Sequence, residues 1–284
     1  MTSPAVAPVA SLASDLVPLG TAGLEMAELE MAALIEAAGR FTVASAELRD
    51  GCELLRRVDT KFVCTRAAAL EVIAGLAGDY AALSVPSGTV ATYRSLYFDT
   101  GDLRCYHDHR RGRRLRHKIR VRHYPDRLLS YLEVKTKQNE TVTDKRRLAI
   151  PFLAEVLGAA EQRFLGAVLS GAGQLPVDDL HPVMRIGFRR LSLVGLHTAE
   201  RVTVDLGLDA ETVDGARWSG GDLVVVEVKQ SPFCVRTPVM RALSRAALRE
   251  QSMSKYTMAT ALIRPELRRN RLLPELRSLT RMTS

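Results

Sequence analysis

Residues 113–123 read RRLRHKIRVRH. Successive side chains of a β-strand point to opposite faces. A strand here puts Arg114, Arg116, Lys118, Arg120 and Arg122 on one face, and Leu115, His117, Ile119, Val121 and His123 on the other. Neighbouring like charges on one face repel. Such a strand needs either unrestricted water or something negative facing it.

The same pattern recurs along the chain. Tyr131, Glu133, Lys135 and Lys137 alternate with Leu132, Val134 and Thr136. Arg57, Asp59 and Lys61 alternate with Val58, Thr60 and Phe62, and Arg201, Thr203 and Asp205 with Val202 and Val204. Glu227 and Lys229 oppose Val226 and Val228, Lys145 shares a face with Arg147, and Arg185 with Arg189. Solvated faces mix signs and carry Ser, Thr, Gln and Asn. Here Arg and Lys dominate, with a sparse set of carboxylates. For one strand, water is the simpler explanation; repetition over several strands favours a shared interior. Buried cations need compensation, which carboxylates supply in part and a bound polyphosphate with a divalent metal would complete. Arg grips phosphate oxygens in pairs and Lys acts as a point charge. Glu227, Glu133 and Asp205 are hard oxygen donors suited to Mg²⁺ or Mn²⁺.

Period-two alternation predicts strands near 53–64, 80–85, 90–98, 113–124, 128–137, 142–150, 182–195, 200–206, 210–218 and 222–230. Helices are predicted near 66–77, 101–108, 152–169, 238–249 and 254–262. Many strands with short links and few intervening helices give an α+β class, a mostly antiparallel β-barrel with helices packed outside. The expected division is an Ala-rich N-terminal segment over 1–45, with disorder over 1–23 and a helix over 24–38, then the barrel domain over 46–262 and a basic tail over 263–284. In the tail, Leu272, Leu276 and Leu279 recur at helical spacing, which suits docking on the barrel or on a partner.

The formal net charge of +8 directs attention to anionic partners, among them phosphate compounds, nucleic acid and an acidic membrane face. Single-strand nucleic-acid sites interleave exposed aromatics for base stacking. Aromatics make up 5% of this chain and the most basic strand has none, so nucleic acid is not the expected partner. Cys52, Cys64, Cys105 and Cys234 lack C-x-x-C spacing, which excludes a zinc finger and fits a reducing cytoplasm. The sequence shows no apolar run long enough for a transmembrane segment and no signal peptide. His107, His109, His117 and His123 cluster, and structural or surface roles are expected for them. Asp99 reads as a turn or cap residue.

At these residues the chain resembles the catalytic domain of the vacuolar transporter chaperone (VTC) polyphosphate polymerases, within the triphosphate tunnel metalloenzymes of CYTH-like fold. The matching pieces are RRVDTKF at 56–62, SLYFDT at 95–100, KIRVR at 118–122, LEVKTK at 132–137, DKRR at 144–147, RVTVD at 201–205, VVEVK at 225–229 and SKY at 254–256. The resemblance implies a tunnel of antiparallel strands that binds a triphosphate or a growing polyphosphate. It implies Lys61, Arg120, Arg122, Lys135, Arg201 and Lys255 as catalytic cations. It implies Arg57, Lys118, Lys137, Lys145, Arg185, Lys229 and Ser254 as further phosphate-binding residues. Glu227 matches the metal-binding glutamate, with Glu133 as a second candidate for Mn²⁺ or Mg²⁺. Triphosphatases and adenylate cyclases of this superfamily open with a Glu-x-Glu-x-Lys strand; here the stretch is Arg57-Val58-Asp59-Thr60-Lys61, which matches the polymerase branch.

The expected activity is transfer of the γ-phosphoryl group of ATP to a polyphosphate end. Hydrolysis of inorganic or nucleoside triphosphates and non-catalytic binding of polyphosphate or nucleotide are the alternatives. The termini are candidates for self-association or for contact with a membrane-protein partner.

Overall fold

The computed structural model describes residues 32–51, 57–138, 143–170 and 175–283. The expectations for residues 1–23, for the start of the helix over 24–38 and for Cys52 lie outside these residues. The described part of that helix, α1 (32–38), buries Leu34 and Ala38 against the sheet.

Among the described residues eleven strands form one sheet. They are β1 (Thr42–Val43), β2 (Val58–Thr65), β3 (Tyr80–Ala82), β4 (Val90–Asp99), β5 (Arg116–Tyr124), β6 (Leu129–Lys137), β7 (Thr143–Ile150), β8 (His181–Gly195), β9 (Glu200–Thr212), β10 (Arg217–Ser219) and β11 (Leu223–Gln230). The main path runs β2-β11-β9-β8-β4-β5-β6-β7, and every pairing along it is antiparallel. Helices α2 (Ala46–Gly51), α3 (Arg66–Ala74), α4 (Arg104–Arg111), α5 (Ala159–Leu169), α6 (Pro238–Arg245), α7 (Lys255–Ile263) and α8 (Leu273–Thr283) complete the chain. The α+β class and the antiparallel sheet are as expected. No helix among the described residues is long and apolar enough to cross a membrane.

The sheet is strongly curled. Lys61 on β2 depresses the basicity of Lys118 on β5 and of Lys135 on β6, although those strands lie far along the ladder from β2. The walls therefore face one another across a lumen. Closure is not by a strand ladder: among the described residues β2 and β7 are the two ends of the path, and the outer edge of β2 takes a bridge from Glu250 and a 2.8 Å bond from Gln251 N to the Lys61 carbonyl.

Apolar residues of the convex face are covered by helices. Val202, Val204, Val226 and Val228 pack under α3 and α6 with Val72, Ile73, Val239 and Leu243. Leu96, Ile119, Val121, Leu132 and Val134 pack under α5 with Leu165 and Leu169. α7 and α8 behave differently. They enter one end of the concave face, where Tyr256, Met258, Leu276 and Leu279 meet Val63, Ile186, Leu208 and Val225.

Two boundaries differ from expectation for physical reasons. The predicted strands 200–206 and 210–218 are largely one strand, β9, with a bulge. Gly207 adopts φ +58, a left-handed conformation that glycine adopts without steric cost. The extra residue shifts the alternation, so Thr203 and Asp205 point to the lumen and so, beyond the bulge, do Leu208 and Ala210. The basic tail is not a separate appendage: Leu272, Leu276 and Leu279 are buried in the concave-end core. Replacing fully buried Leu279 by Ala is expected to lower the unfolding free energy by about 2–5 kcal/mol, read from urea denaturation. An exposed, dispensable tail would show no change.

Candidate functional site

The charged faces seen in the sequence line the concave side. β5 contributes Lys118, Arg120 and Arg122, β6 contributes Glu133 and Lys135, β7 Lys145, β9 Arg201 and Asp205, β11 Glu227 and Lys229, and β2 Lys61. Register fixes these neighbours: Lys118 stands beside Lys135, Arg120 beside Glu133, Lys145 beside Lys135, Glu227 beside Lys61 and Lys229 beside Arg201.

Three carboxylates organise the cations. Asp205 accepts two bonds from Arg190, at 2.5 and 2.6 Å, and a third from the Lys255 ammonium at 2.6 Å. Burial would raise its pKa, but Arg190 and Lys255 hold it down to about 2. Glu133 accepts from Arg120 Nε and Nη2 at 2.9 and 2.6 Å and contacts Lys145. Against the opposing effect of burial, Arg120, Arg122 and Lys145 lower it to about 2. Glu227 is contacted by Lys229 and lies 3.7 Å from Lys61. Burial opposes its ionisation, yet these lysines and Arg190 keep it far below the usual carboxylate range.

Aromatic rings floor the cluster. Tyr93 and Phe188 stack at 5.1 Å. Arg190 lies 4.8 Å above Tyr93, Arg122 5.3 Å above Tyr93, and Lys255 4.7 Å above Phe188. The electron-rich ring faces attract these cations where water is scarce. Tyr97 accepts from Arg120 at 3.0 Å and stacks on Tyr256. Burial would raise the Tyr97 phenol, but Arg120, Arg122 and Lys255 together bring it below its ordinary value.

Not every cation is paired. Arg122 donates to Ser95 at 3.1 Å and is 7% exposed, with no carboxylate ion-paired to it among the described residues. Burial, then Arg120, lowers its basicity. Burial also depresses Lys118, and the charges that add to the effect are Lys61, Lys135, Arg116 and Arg120, all cations. Leaving buried charge unmatched costs several kcal/mol per ion. The lumen is built to receive negative charge.

The structure gathers most of the expected residues but corrects several. Arg185 faces the convex side, half exposed, and pairs with Glu155 at 2.7 Å. Its neighbour on the lumen side, Arg190, went unpredicted because it continues the apolar face of Met184, Ile186 and Phe188. Only its position at the end of that apolar run hinted at a buried charge. The aromatic floor was missed for the same reason. Ser254 is 5% exposed and its hydroxyl caps α7 by accepting from Thr257 N at 3.4 Å, which points Lys255 at Asp205. Glu133, expected as a metal ligand, is committed to Arg120 and Lys145. Arg57 sits exposed before β2, bound to Asp59 at 2.9 Å, and Lys137 ends β6 opposite Arg116. Arg114 precedes β5 and is exposed.

Residues 56–264 match the VTC domain family. The chain belongs to that family. Among curated proteins none matches it. Solved structures similar to this VTC domain include a candidate adenylate cyclase from Bacillus halodurans, 10% identical, covering 70% of this chain and 94% of that one with a TM-score of 0.41. A candidate adenylyl cyclase from Hippeastrum, described as having dominant triphosphatase activity, is 13% identical over 72% of this chain and 95% of its own, TM-score 0.44. The PH1819 protein of Pyrococcus horikoshii is 11% identical over 74% and 99%, TM-score 0.43.

The Glu133 pairing predicts an acid sensitivity. Its folded pKa lies below the ordinary 4.5, so its stabilisation is complete above that pH and fades as pH falls towards 2. The shift corresponds to roughly 3 kcal/mol. Thermal midpoints measured from pH 5 to pH 2 are expected to fall more steeply for the native protein than for Glu133→Gln; parallel curves would refute the pairing.

Proposed function

We propose that this VTC domain is a metal-dependent polyphosphate polymerase that transfers the γ-phosphoryl group of ATP to a growing polyphosphate chain. The observation that carries the reading is the state of Glu227. It is the one carboxylate of these three with no arginine in direct ion-pair contact among the described residues; its ion-pair partners are the lysines Lys61 and Lys229. Lysine ammoniums are flexible point charges that can turn from a carboxylate to a phosphate.

The residues fit a hard divalent ion. Among the described residues no group of three His, Cys, Asp or Glu side chains is placed to hold a metal. Glu227 would therefore share the ion with phosphate oxygens, a donor set natural to Mg²⁺ and Mn²⁺. When bound, the ion would neutralise non-bridging phosphate oxygens. The rest falls to the chain itself. Arg122, Arg190 and Lys255, held over the aromatic floor, bind and orient the triphosphate. Arg120, Arg201 and Lys229 stabilise charge on the migrating group. Lys61 faces the neighbouring Lys118 and Lys135 across the lumen, and the three would seat the acceptor phosphate. A phosphate acceptor is itself the nucleophile, so no protein nucleophile is required. The buried thiols of Cys64 and Cys105, raised by burial, are inert, and the free cysteines fit a cytoplasmic setting.

Purified protein incubated with ATP and Mn²⁺ is expected to yield chains that stain as polyphosphate on a gel, and Glu227→Ala to yield none. Free phosphate without chains would assign a triphosphatase instead. The lumen assignment has its own check: Arg190→Met is expected to weaken tripolyphosphate binding about tenfold or more, and Arg185→Met less than about twofold. The reverse order would place the phosphate on the convex face.

A further inference from the structure

The seven tyrosines divide into two kinds. Tyr80, Tyr97, Tyr106 and Tyr256 are buried, and each hydroxyl has a partner. Tyr80 contacts Glu200, and Tyr97 accepts from Arg120 at 3.0 Å. Tyr106 donates to the Arg268 carbonyl at 3.2 Å and Tyr256 to Asp99 at 2.6 Å. Burial demands such partners of a phenol. Tyr93, Tyr124 and Tyr131 are half-buried, and among the described residues their hydroxyls have no hydrogen-bond partner.

These three rings touch one another. Centroids lie 5.2 Å apart for Tyr93 and Tyr124 and 6.0 Å apart for Tyr124 and Tyr131, both pairs edge-on. Alternation puts them on the lumen faces of β4, β5 and β6, two residues from Ser95, Arg122 and Glu133 respectively. They extend the row begun by Phe188 and Tyr93 to the end of β5 away from Lys118. Arg122 and Arg190 lie over Tyr93, and Arg147 lies 5.0 Å over Tyr131. Beside Tyr93 and Tyr124 opens a shallow hollow lined also by Val85, Ala91, Asp126 and Arg127. Asp126 accepts from Thr92 N at 2.6 Å and from the Ser87 hydroxyl, which ties the rim together. The hollow brings one charge of each sign, against the cationic lumen beside it. A phosphate gains by staying with Arg122 and Arg190; an uncharged flat group gains by leaving them for the rings.

We propose that this mouth of the lumen is a nucleoside subsite, in which Tyr124 and Tyr131 take the base and ribose of a nucleoside triphosphate whose phosphates lie on Arg122, Arg190 and Lys255. This rests on the lumen being the phosphate site, and it adds what tells a nucleotide from an inorganic phosphate chain. Bases of every kind stack on aromatic faces, so the subsite reads the presence of a base rather than its identity. Arg147, exposed and lying over Tyr131, is a planar cation that also stacks on flat rings. The unpartnered phenols donate and accept, which suits the hydroxyls of a ribose. The base of the donor lies outermost, at the end of the lumen away from Lys118 and Lys135.

The test compares the β,γ-imido analogue of ATP with inorganic tripolyphosphate, by calorimetric titration of the full chain. Tyr124→Leu and Tyr131→Leu are each expected to weaken binding of the analogue about fivefold or more, and binding of tripolyphosphate less than about twofold. Saturation-transfer NMR of the native protein is independent of any folding defect in the variants. Saturation of the protein's methyl protons should pass to the base protons of the bound analogue. If the variants leave both ligands unchanged, or weaken both equally, the rings only support Arg122 and Arg147. Base protons that receive no saturation would place the base in solvent. Any of these results overturns the inference while leaving the phosphate site intact. Failure of the native protein to bind tripolyphosphate would sink both.

Discussion

Like charges on one face of a sheet repel most where water is scarce. In this domain that repulsion is concentrated and then managed. Curling brings the cationic faces of β2, β5, β6, β9 and β11 towards one another. Asp205, Glu133 and Glu227 each sit between at least two cations, so each carboxylate fixes a small triad. The rings of Tyr93 and Phe188 support further cations without adding formal charge. The unmatched cations, Arg122 and Lys118 above all, define the charge a ligand must bring. Fold stability and ligand affinity are thus coupled: the helices outside and the apolar plug of α7 and α8 hold walls together that electrostatics alone would push apart.

Much of this is legible in the alternation of the chain. Period-two faces in β5, β6, β9 and β11 place most lumen cations correctly, because over their charged stretches those strands have one largely apolar and one charged face. β8 defeats that logic. It carries arginines on both faces, and periodicity cannot say which face is concave; Arg185 and Arg189 look like the charged set although Arg190 is the one inside. β9 hides its continuity behind Gly207, since a bulge inverts the alternation and reads as a strand end. The docking partner of Leu272, Leu276 and Leu279 is set by tertiary packing alone.

Membership of the VTC domain family rests on residues 56–264, and the geometry accounts for why the matching pieces matter. KIRVR and LEVKTK are adjacent strands whose facing residues, Arg120 and Glu133, form one ion pair. RVTVD and SKY are far apart in sequence and meet at Asp205 and Lys255. Glu227, flanked by Lys61 and Lys229 on paired strands, is the position on which the proposed phosphate chemistry turns.

That β2 and β7 share no ladder among the described residues has a topological consequence. A polymer inside a fully hydrogen-bonded cylinder can be reached only by one of its ends, so such a cylinder must thread its substrate. A curled sheet whose two edges share no ladder sets no such rule. Lys135 and Lys145 lie open to water near that seam. The strand ladder of the described residues therefore does not by itself restrict a long polyanion to entry by its terminus.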